Sequence, residues 1–441
     1  INGNNTISFY YAPKGINIDL GFVNNDAILS DGTIGRIIND GYDNVETYLR
    51  NINNIIGTSN YSDILKGNSD KNIINGLGGH DTIYGIGGEN TLYGGTGVDV
   101  IYAATTKTGT ERGDVVFGGQ GIDTLIGSFH KDFLIGGEQN GDDVEKDWID
   151  YSNIVLGTND YGISVNLEQT TNFTDTVDRA YLNGNYSQVF RLDTNGTNTL
   201  NFDYISQIEN ITGSSGDDTF TGNTSQNSIL AGAGDDIIYY TRGLDYYDGG
   251  NHTTSSGQGS GTPSVGGGDW ISLAKETTTT VNFDLYNSSV GANITNSSAT
   301  VTNIENIIGY NGVQATTGWG TDSNNIFIMY AGNDSIIGRQ GDDVYDLGDG
   351  NDAAFAAYGN DTIIGGAGID RLDYTNTYSG SNQANYIILT YQDLNADGDT
   401  ADANETVNIQ SITVQGLATL TDRTYNFFKI RDSRTTFFDY L

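Results

Sequence analysis

Cysteine is absent from the 441-residue chain, so disulfide staples and thiolate metal centres are excluded. Proline occurs twice. Histidine occurs three times, as His80, His130 and His252, and none stands in an H-E-x-x-H pattern, which removes the common helical zinc arrangement. Basic residues are scarce as well: 19 Lys plus Arg face 56 Asp plus Glu, a formal net charge of -37. Without a basic face the chain has no electrostatic route to nucleic acid. No apolar run reaches the roughly 18 residues of a membrane-spanning helix, so membrane insertion is not expected. From Ile1 onward no basic-then-apolar leader is read, which points to a processed form or to export by another route. Hard oxygen donors remain for metal binding, and they suit calcium better than softer transition metals. Cations are also what so large an excess of acid requires in a compact fold.

Glycine is what the chain has in abundance, 61 residues, and much of it recurs at a fixed period. GGTGVDVIY from Gly94 fits G-G-x-G-x-D-x-U-x, where U is a large apolar residue. GIGGENTLY from Gly85, GLGGHDTIY from Gly76, GNSDKNIIN from Gly67 and TSNYSDILK from Thr58 precede it in step. The sixth position holds Asp63, Asn72, Asp81, Asn90 and Asp99; the eighth holds Leu65, Ile74, Ile83, Leu92 and Ile101. A second run places Asp114, Asp123, Asp132 and, after a short insertion, Asp147 at position six. A third places Asp218, Asn227, Asp236, Asp245 and, past a Gly/Ser-rich insertion, Asp269 there. A fourth, from Gly320, carries Asn325, Asp334, Asp343, Asp352, Asp361 and Asp370. Roughly twenty units keep this register, which disordered Gly/Asn-rich sequence does not do.

The residue types dictate the geometry of one unit. Its first six positions turn tightly and need glycine where φ is positive. Its last three form a short strand whose middle side chain points inward. Two units close one coil of about 18 residues, and coils stack with parallel strands roughly 4.8 Å apart. The fold expected is therefore all-β, a right-handed parallel β-roll or β-solenoid with flanking strands and a C-terminal β segment. Stacking brings Asp63 against Asp81, Asp81 against Asp99, Asp334 against Asp352 and Asp343 against Asp361. Such carboxylates repel unless a divalent ion lies between them. Calcium takes six to eight oxygens, and the shell predicted here combines these aspartates with loop carbonyls at the position-four glycines Gly79, Gly97, Gly121, Gly234, Gly341, Gly350 and Gly368. Asn72, Asn90, Asn227 and Asn325 predict weaker or empty sites.

These units resemble the RTX repeats of secreted bacterial proteins, over somewhat under half of the chain. The resemblance implies multiple calcium ions held in parallel β-rolls, and extracellular or cell-surface location after type I secretion as unfolded chain. It also implies a C-terminal export signal, for which the tail from Tyr425 to Leu441 is the candidate, an assembly strand being the alternative.

The runs sit inside a longer repeat. GINIDL at Gly15, GISVNL at Gly162 and TVNFDL at Thr280 come early in each copy; NINNIIG at Asn51, QIENITG at Gln207 and NIENIIG at Asn303 stand ahead of each roll; DWIDY, DWISL and DRLDY close it. This predicts a first module over 1–156 with runs 58–102 and 109–151, a second over 157–275 with run 213–273, a third over 276–378 with run 320–374, and a C-terminal segment over 379–441. Trp148, Trp270 and Arg371 share position seven of the closing units and are expected to face outward, where an exposed Trp is a contact candidate unless the adjacent insertion folds over it. DLNADGDTADANE from Asp393 resembles an EF-hand-type loop through Asp393, Asn395, Asp397 and Asp399, without flanking helices and with Asn404 where a glutamate is usual.

No reaction centre is read: G-x-S-x-G, cysteine nucleophiles and phosphate loops are missing, and each obvious carboxylate pair is better explained as a calcium shell. The reading is a non-enzymatic, secreted calcium-binding structural protein that folds on binding calcium and self-associates into a lattice or filament, as RTX-type surface-layer proteins do. Cell-surface glycans are a further partner under this reading. The alternative is an RTX adhesin or binding module, or the non-catalytic part of a larger secreted RTX protein.

Overall fold

The computed structural model describes residues 4–22, 35–43, 47–103, 112–128, 130–137, 145–156, 160–174, 182, 184–193, 198–241, 243–251, 268–275, 282–286, 289–290, 299–310, 312–355, 361–373, 384–391, 409–417 and 426–431. Among these residues the regular structure is strand, and no helix is long and apolar enough to cross a membrane. The chain divides into two compact units: Ile1–Asn223 with Asn227–Gly232, and Thr224–Gln226 with Ala233–Leu441.

In the first unit the repeats wind into a parallel roll with two strand ladders. One ladder aligns Ile18, Leu65, Ile83, Ile101, Leu125, Ile149, Ile211 and Ile229. The other aligns Ile55, Ile74, Leu92, Val116, Leu134 and Ile205. These are the eighth-position side chains and their equivalents in the flanking motifs, and they are sealed from solvent. Each is worth roughly 1.5–3 kcal/mol of apolar burial, but only when a coil lies above and below it, so the repeat is obligatory. The flanking motifs GINIDL, NINNIIG and QIENITG are thus themselves rungs of the roll. Asp160–Phe173, Gly184–Asp193 and Asn198–Ser206 form an antiparallel insert whose ends rejoin the parallel ladder at Phe133–Ile135 and Thr219–Thr221. Leu182 and Tyr186 join Val115, Phe117, Phe133 and Ile135 in an apolar cluster on the outward-facing positions of the roll.

The second unit repeats the scheme. One ladder aligns Ile238, Ile271, Ile307, Phe327, Tyr345 and Ile363. In the other, Tyr246–Asp248 pairs in parallel with Ala299–Thr302; an antiparallel Ser289–Val290 links that strand to Asn282–Asp284. From there Phe283, Gly318, Ile336, Ala354 and Leu372 run in register. Gly318 lacks the side chain expected at a core position because the Phe283 ring fills that space; any Cβ there would strike it. NYIILT lies in Ala384–Tyr391, which pairs antiparallel with Ile409–Leu417 rather than entering a roll.

Position seven faces away from the inward Ile271, but at Trp270 it is not exposed. Trp270 is buried, 5% exposed, against Ile308 and Ile326, with Ile237, Ile328 and Val344 beside it. Outward positions of successive coils fall in line along the ladder, and when they are apolar they form a second packed layer on the outer face of the sheet. Trp148 is half-buried. Arg371 does face solvent, its guanidinium 5.4 Å from the Phe355 ring centroid.

Candidate metal centres

Each loop of the roll is a glycine turn followed by the position-six residue and then the strand. Gly79, Gly97, Gly121, Gly234 and Gly341 at position four have φ of 130°, 140°, 118°, 139° and 120°, values that L side chains rarely adopt. At Gly97 a Cβ would also collide with the Gly79 carbonyl of the preceding coil. Gly350 stands against the Gly332 carbonyl in the same way and pairs with Gly368 across the coil. These glycines let successive loops stack backbone on backbone.

That stacking buries position six. Asp63, Asp81, Asp99, Asp114, Asp123, Asp132, Asp147, Asp218, Asp236, Asp245, Asp269, Asp334, Asp343, Asp352, Asp361 and Asp370 are all buried, as are Asn72, Asn90, Asn227 and Asn325. The pairs expected one coil apart do meet, through a specific bond. The Asp63 N–H donates to Asp81 Oδ1 at 2.8 Å, Asp81 N–H to Asp99 Oδ1 at 2.7 Å, Asp334 N–H to Asp352 Oδ1 at 2.7 Å and Asp343 N–H to Asp361 Oδ1 at 3.1 Å. Asp99 to Asp123, Asp123 to Asp147, Asp114 to Asp132, Asp236 to Asp269 and Asp352 to Asp370 repeat it. Asp218 Oδ1 accepts the Ile163 N–H at the rung supplied by GISVNL. One carboxylate oxygen of each ladder acceptor thus serves the neighbouring backbone.

The second oxygen distinguishes the sites. Asp81 Oδ2, Asp99 Oδ2 and Asp352 Oδ2 are buried without any hydrogen-bond donor. An unanswered buried carboxylate oxygen is costly, so something positive belongs beside it. At Gly57, Gly76 and Gly94 the place a Cβ would take lies within 3.0 Å of that loop's own Oδ2, from Asp63, Asp81 and Asp99, and of the carbonyl of Gly76, Gly94 and Gly118 in the next coil. Carboxylate and carbonyl oxygens therefore converge beside the glycine that leads into each loop. Among the described residues no three His, Asp or Glu side chains cluster as a metal site, so any ion here draws on backbone carbonyls as well. An oxygen-only donor set of this kind fits calcium.

Burial drives these carboxyls towards the protonated form when no cation is near. Desolvation, with the Asp99 and Asp63 charges adding to it, pushes Asp81 from 3.8 up to about 8. Desolvation, then the Asp361 charge, pushes Asp343 to about 8. Desolvation likewise lifts Asp352 to about 7, and Asp99, Asp334 and Asp361 to about 6.

Elsewhere the second oxygen is answered by the protein. The Thr58 N–H donates to Asp63 Oδ2 at 2.6 Å, Ser128 Oγ to Asp132 Oδ2 at 2.6 Å, the Ser214 N–H to Asp218 Oδ2 at 2.6 Å and Tyr247 Oη to Asp245 Oδ2 at 2.7 Å. The asparagines in the first or second unit of a run have their own task. The amide groups of Asn72, Asn227 and Asn325 donate to the carbonyls of Asn53, Glu209 and Glu305, in the flanking motifs NINNIIG, QIENITG and NIENIIG. An aspartate could not donate there.

Three side chains at the ladder were missed by the sequence reading. Asp203 accepts the Asp132 N–H at 2.9 Å, and Glu209 and Glu305 accept the Asp147 and Asp269 N–H groups at 3.2 and 3.0 Å. Asp203 precedes Ile205 by two residues, the spacing of positions six and eight, which was the available signal. Asp393, Asn395, Asp397 and Asp399 lie outside the described residues.

The family model of the RTX calcium-binding nonapeptide repeat matches residues 57–85, 84–104, 108–142, 212–247, 319–354 and 355–373. A comparison with curated proteins found no match.

Proposed function

We propose, from the premise that the chain carries RTX calcium-binding nonapeptide repeats, that it is a secreted structural protein whose rolls fold on calcium and then self-assemble into a cell-surface layer or filament. The observation that carries the calcium-coupled part is the stack of buried aspartates whose second oxygens, at Asp81, Asp99 and Asp352, have no donor. In the reading, the position-six aspartates and position-four glycine loops named above supply the shells, and calcium provides the positive charge that keeps the buried carboxyls ionised. Because the shells form only when coils stack, binding energy becomes folding energy. Extracellular modules bind calcium at roughly 10⁻⁴–10⁻³ M, which suits a chain that stays unfolded during export and folds outside.

The assembly part is supported by roll repeats distributed through three modules, 1–156, 157–275 and 276–378, by the Asn/Thr/Ser/Gly-rich composition and by the resemblance to surface-layer RTX proteins. Electron microscopy of the purified protein with millimolar calcium and with chelator tests it. Sheets or filaments only with calcium are expected; dispersed particles in both conditions would instead mark a binding module or adhesin part. A circular dichroism titration tests the switch separately, and β content unchanged by calcium would defeat it.

A further inference from the structure

The roll of the first unit has two loop edges, and they differ in what faces the carboxylates. Along one edge run Asp63, Asp81, Asp99, Asp123 and Asp147, linked N–H to Oδ1 at 2.8, 2.7, 2.8 and 2.6 Å. Along the other run Asn72, Asn90, Asp114, Asp132 and Asp203, linked in the same manner at 2.9, 2.8, 2.7 and 2.9 Å. The backbone geometry is shared; the side-chain chemistry is not. On the first edge Asp81 Oδ2 and Asp99 Oδ2 meet no donor. On the second, donors from the protein stand at rung after rung. The Asn90 amide donates to the Gly87 carbonyl at 2.8 Å, the Gly85 carbonyl at 3.1 Å and Asp114 Oδ2 at 3.3 Å. Ser128 Oγ donates to Asp132 Oδ2, and Tyr151 Oη donates to Asp203 Oδ2 at 2.8 Å.

We propose that calcium loads the first unit's roll on one edge only: the edge through Asp81 and Asp99 takes ions, while the edge from Asn72 to Asp203 is closed by the protein's own N–H and O–H groups. The inference rests on the calcium reading above and narrows it, since Asp114 and Asp132 share the repeat position but not the site. The Asn90 amide already holds the loop carbonyls and the carboxylate oxygen that an ion would need. At Gly127 the space a Cβ would fill is taken by the Tyr151 ring, alongside Asp203 Oδ2. Tyr151 is fully buried, so an ion binding Asp203 would have to expel a phenol from the core and strand its hydroxyl. The sealed edge borders the place where the end of the antiparallel insert, Tyr204–Ser206, rejoins the roll on Phe133–Ile135. In the folded roll that junction is closed by the protein's own donors and needs no ion of its own.

The test uses the full chain in millimolar calcium, counting bound ions by equilibrium dialysis and confirming fold by circular dichroism. Asp99→Asn is expected to lower the count by at least one ion, whereas Asp114→Asn and Asp132→Asn leave it unchanged. An Asp114→Asn count that falls as the Asp99→Asn count does would overturn the proposal. Calcium anomalous diffraction from the unmutated protein gives the same decision without relying on variants. Peaks on the Asp81–Asp99 edge alone support it, and a peak between Asn90 and Asp132 refutes it. If the unmutated protein binds no calcium, or Asp99→Asn leaves the count intact, the calcium reading of the roll fails and the one-edge inference falls with it.

Discussion

Removing calcium is expected to invert the pH dependence of stability. In the ion-free roll the carboxyls of Asp99 and Asp352 are lifted from 3.8 to about 6 and about 7, chiefly by burial. A raised folded-state value means that the folded protein holds its protons more tightly than the unfolded chain does. Stability from these groups is therefore fully present below 3.8 and drains away as pH climbs through about 6 and then about 7. At about 1.4 kcal/mol per pH unit, the loss is roughly 3 kcal/mol for Asp99 and roughly 4 kcal/mol for Asp352. Those two residues belong to different units, so each unit loses a sizeable part of the roughly 5–15 kcal/mol that holds a typical domain together. With calcium bound the carboxylates are wanted ionised, protons compete with the ion, and stability rises with pH instead. Far-UV circular dichroism from about pH 5 to about pH 8 checks both slopes, through urea midpoints in millimolar calcium and through the folded fraction in chelator, which acid should raise. General relief of the -37 net charge by acid would also stabilise the calcium-free form, and Asp99→Asn separates the two causes. It removes the local carboxyl while changing the net charge little, so the calcium-free loss between about pH 5 and about pH 8 should shrink by roughly 1.4 kcal/mol, the one pH unit of that range below about 6. A calcium-free folded fraction that is flat or rises with pH would refute the reasoning.

Truncating a rung should be costly wherever coils lie on both sides. Ile83→Ala, at a fully buried position between Leu65 and Ile101, is expected to lose roughly 2–5 kcal/mol in urea unfolding. Gly97→Ala forces a Cβ onto a residue at φ 140° and against the Gly79 carbonyl; a loss of about 1–3 kcal/mol and weaker calcium binding in the same dialysis assay are expected. Trp270→Ala removes a side chain packed on Ile308 and Ile326 and should lower stability by roughly 3–5 kcal/mol, whereas Arg371→Ala at the equivalent exposed position should stay within about 0.5 kcal/mol. Tyr151→Phe deletes the hydroxyl donor to Asp203; a loss of about 1–3 kcal/mol in urea denaturation with millimolar calcium is expected, with the number of bound ions unchanged in dialysis.

The one-dimensional repeat made much of this protein legible before any fold was known. A large apolar residue at position eight, a carboxylate or amide at position six and glycine in the turn determine the coil, because an inward strand residue and a φ-positive turn each accept few side chains. The neighbours of Asp81 and Asp334 followed from counting, since every standard coil returns after 18 residues. Counting fails where the chain leaves the roll. Asp203 reaches Asp132 across 71 residues, and only the tertiary path of the antiparallel insert brings it there. The burial of Trp270 had the same origin: position along one strand says which way a side chain points, whereas a cover over it depends on what the neighbouring coils place alongside. The two edges of the roll differed as strings only at Asn72 and Asn90, whereas Asp99 and Asp114 occupy the same letter of the motif. Their difference lies in whether a donor such as the Asn90 amide arrives from another coil, and that is decided by three-dimensional packing alone.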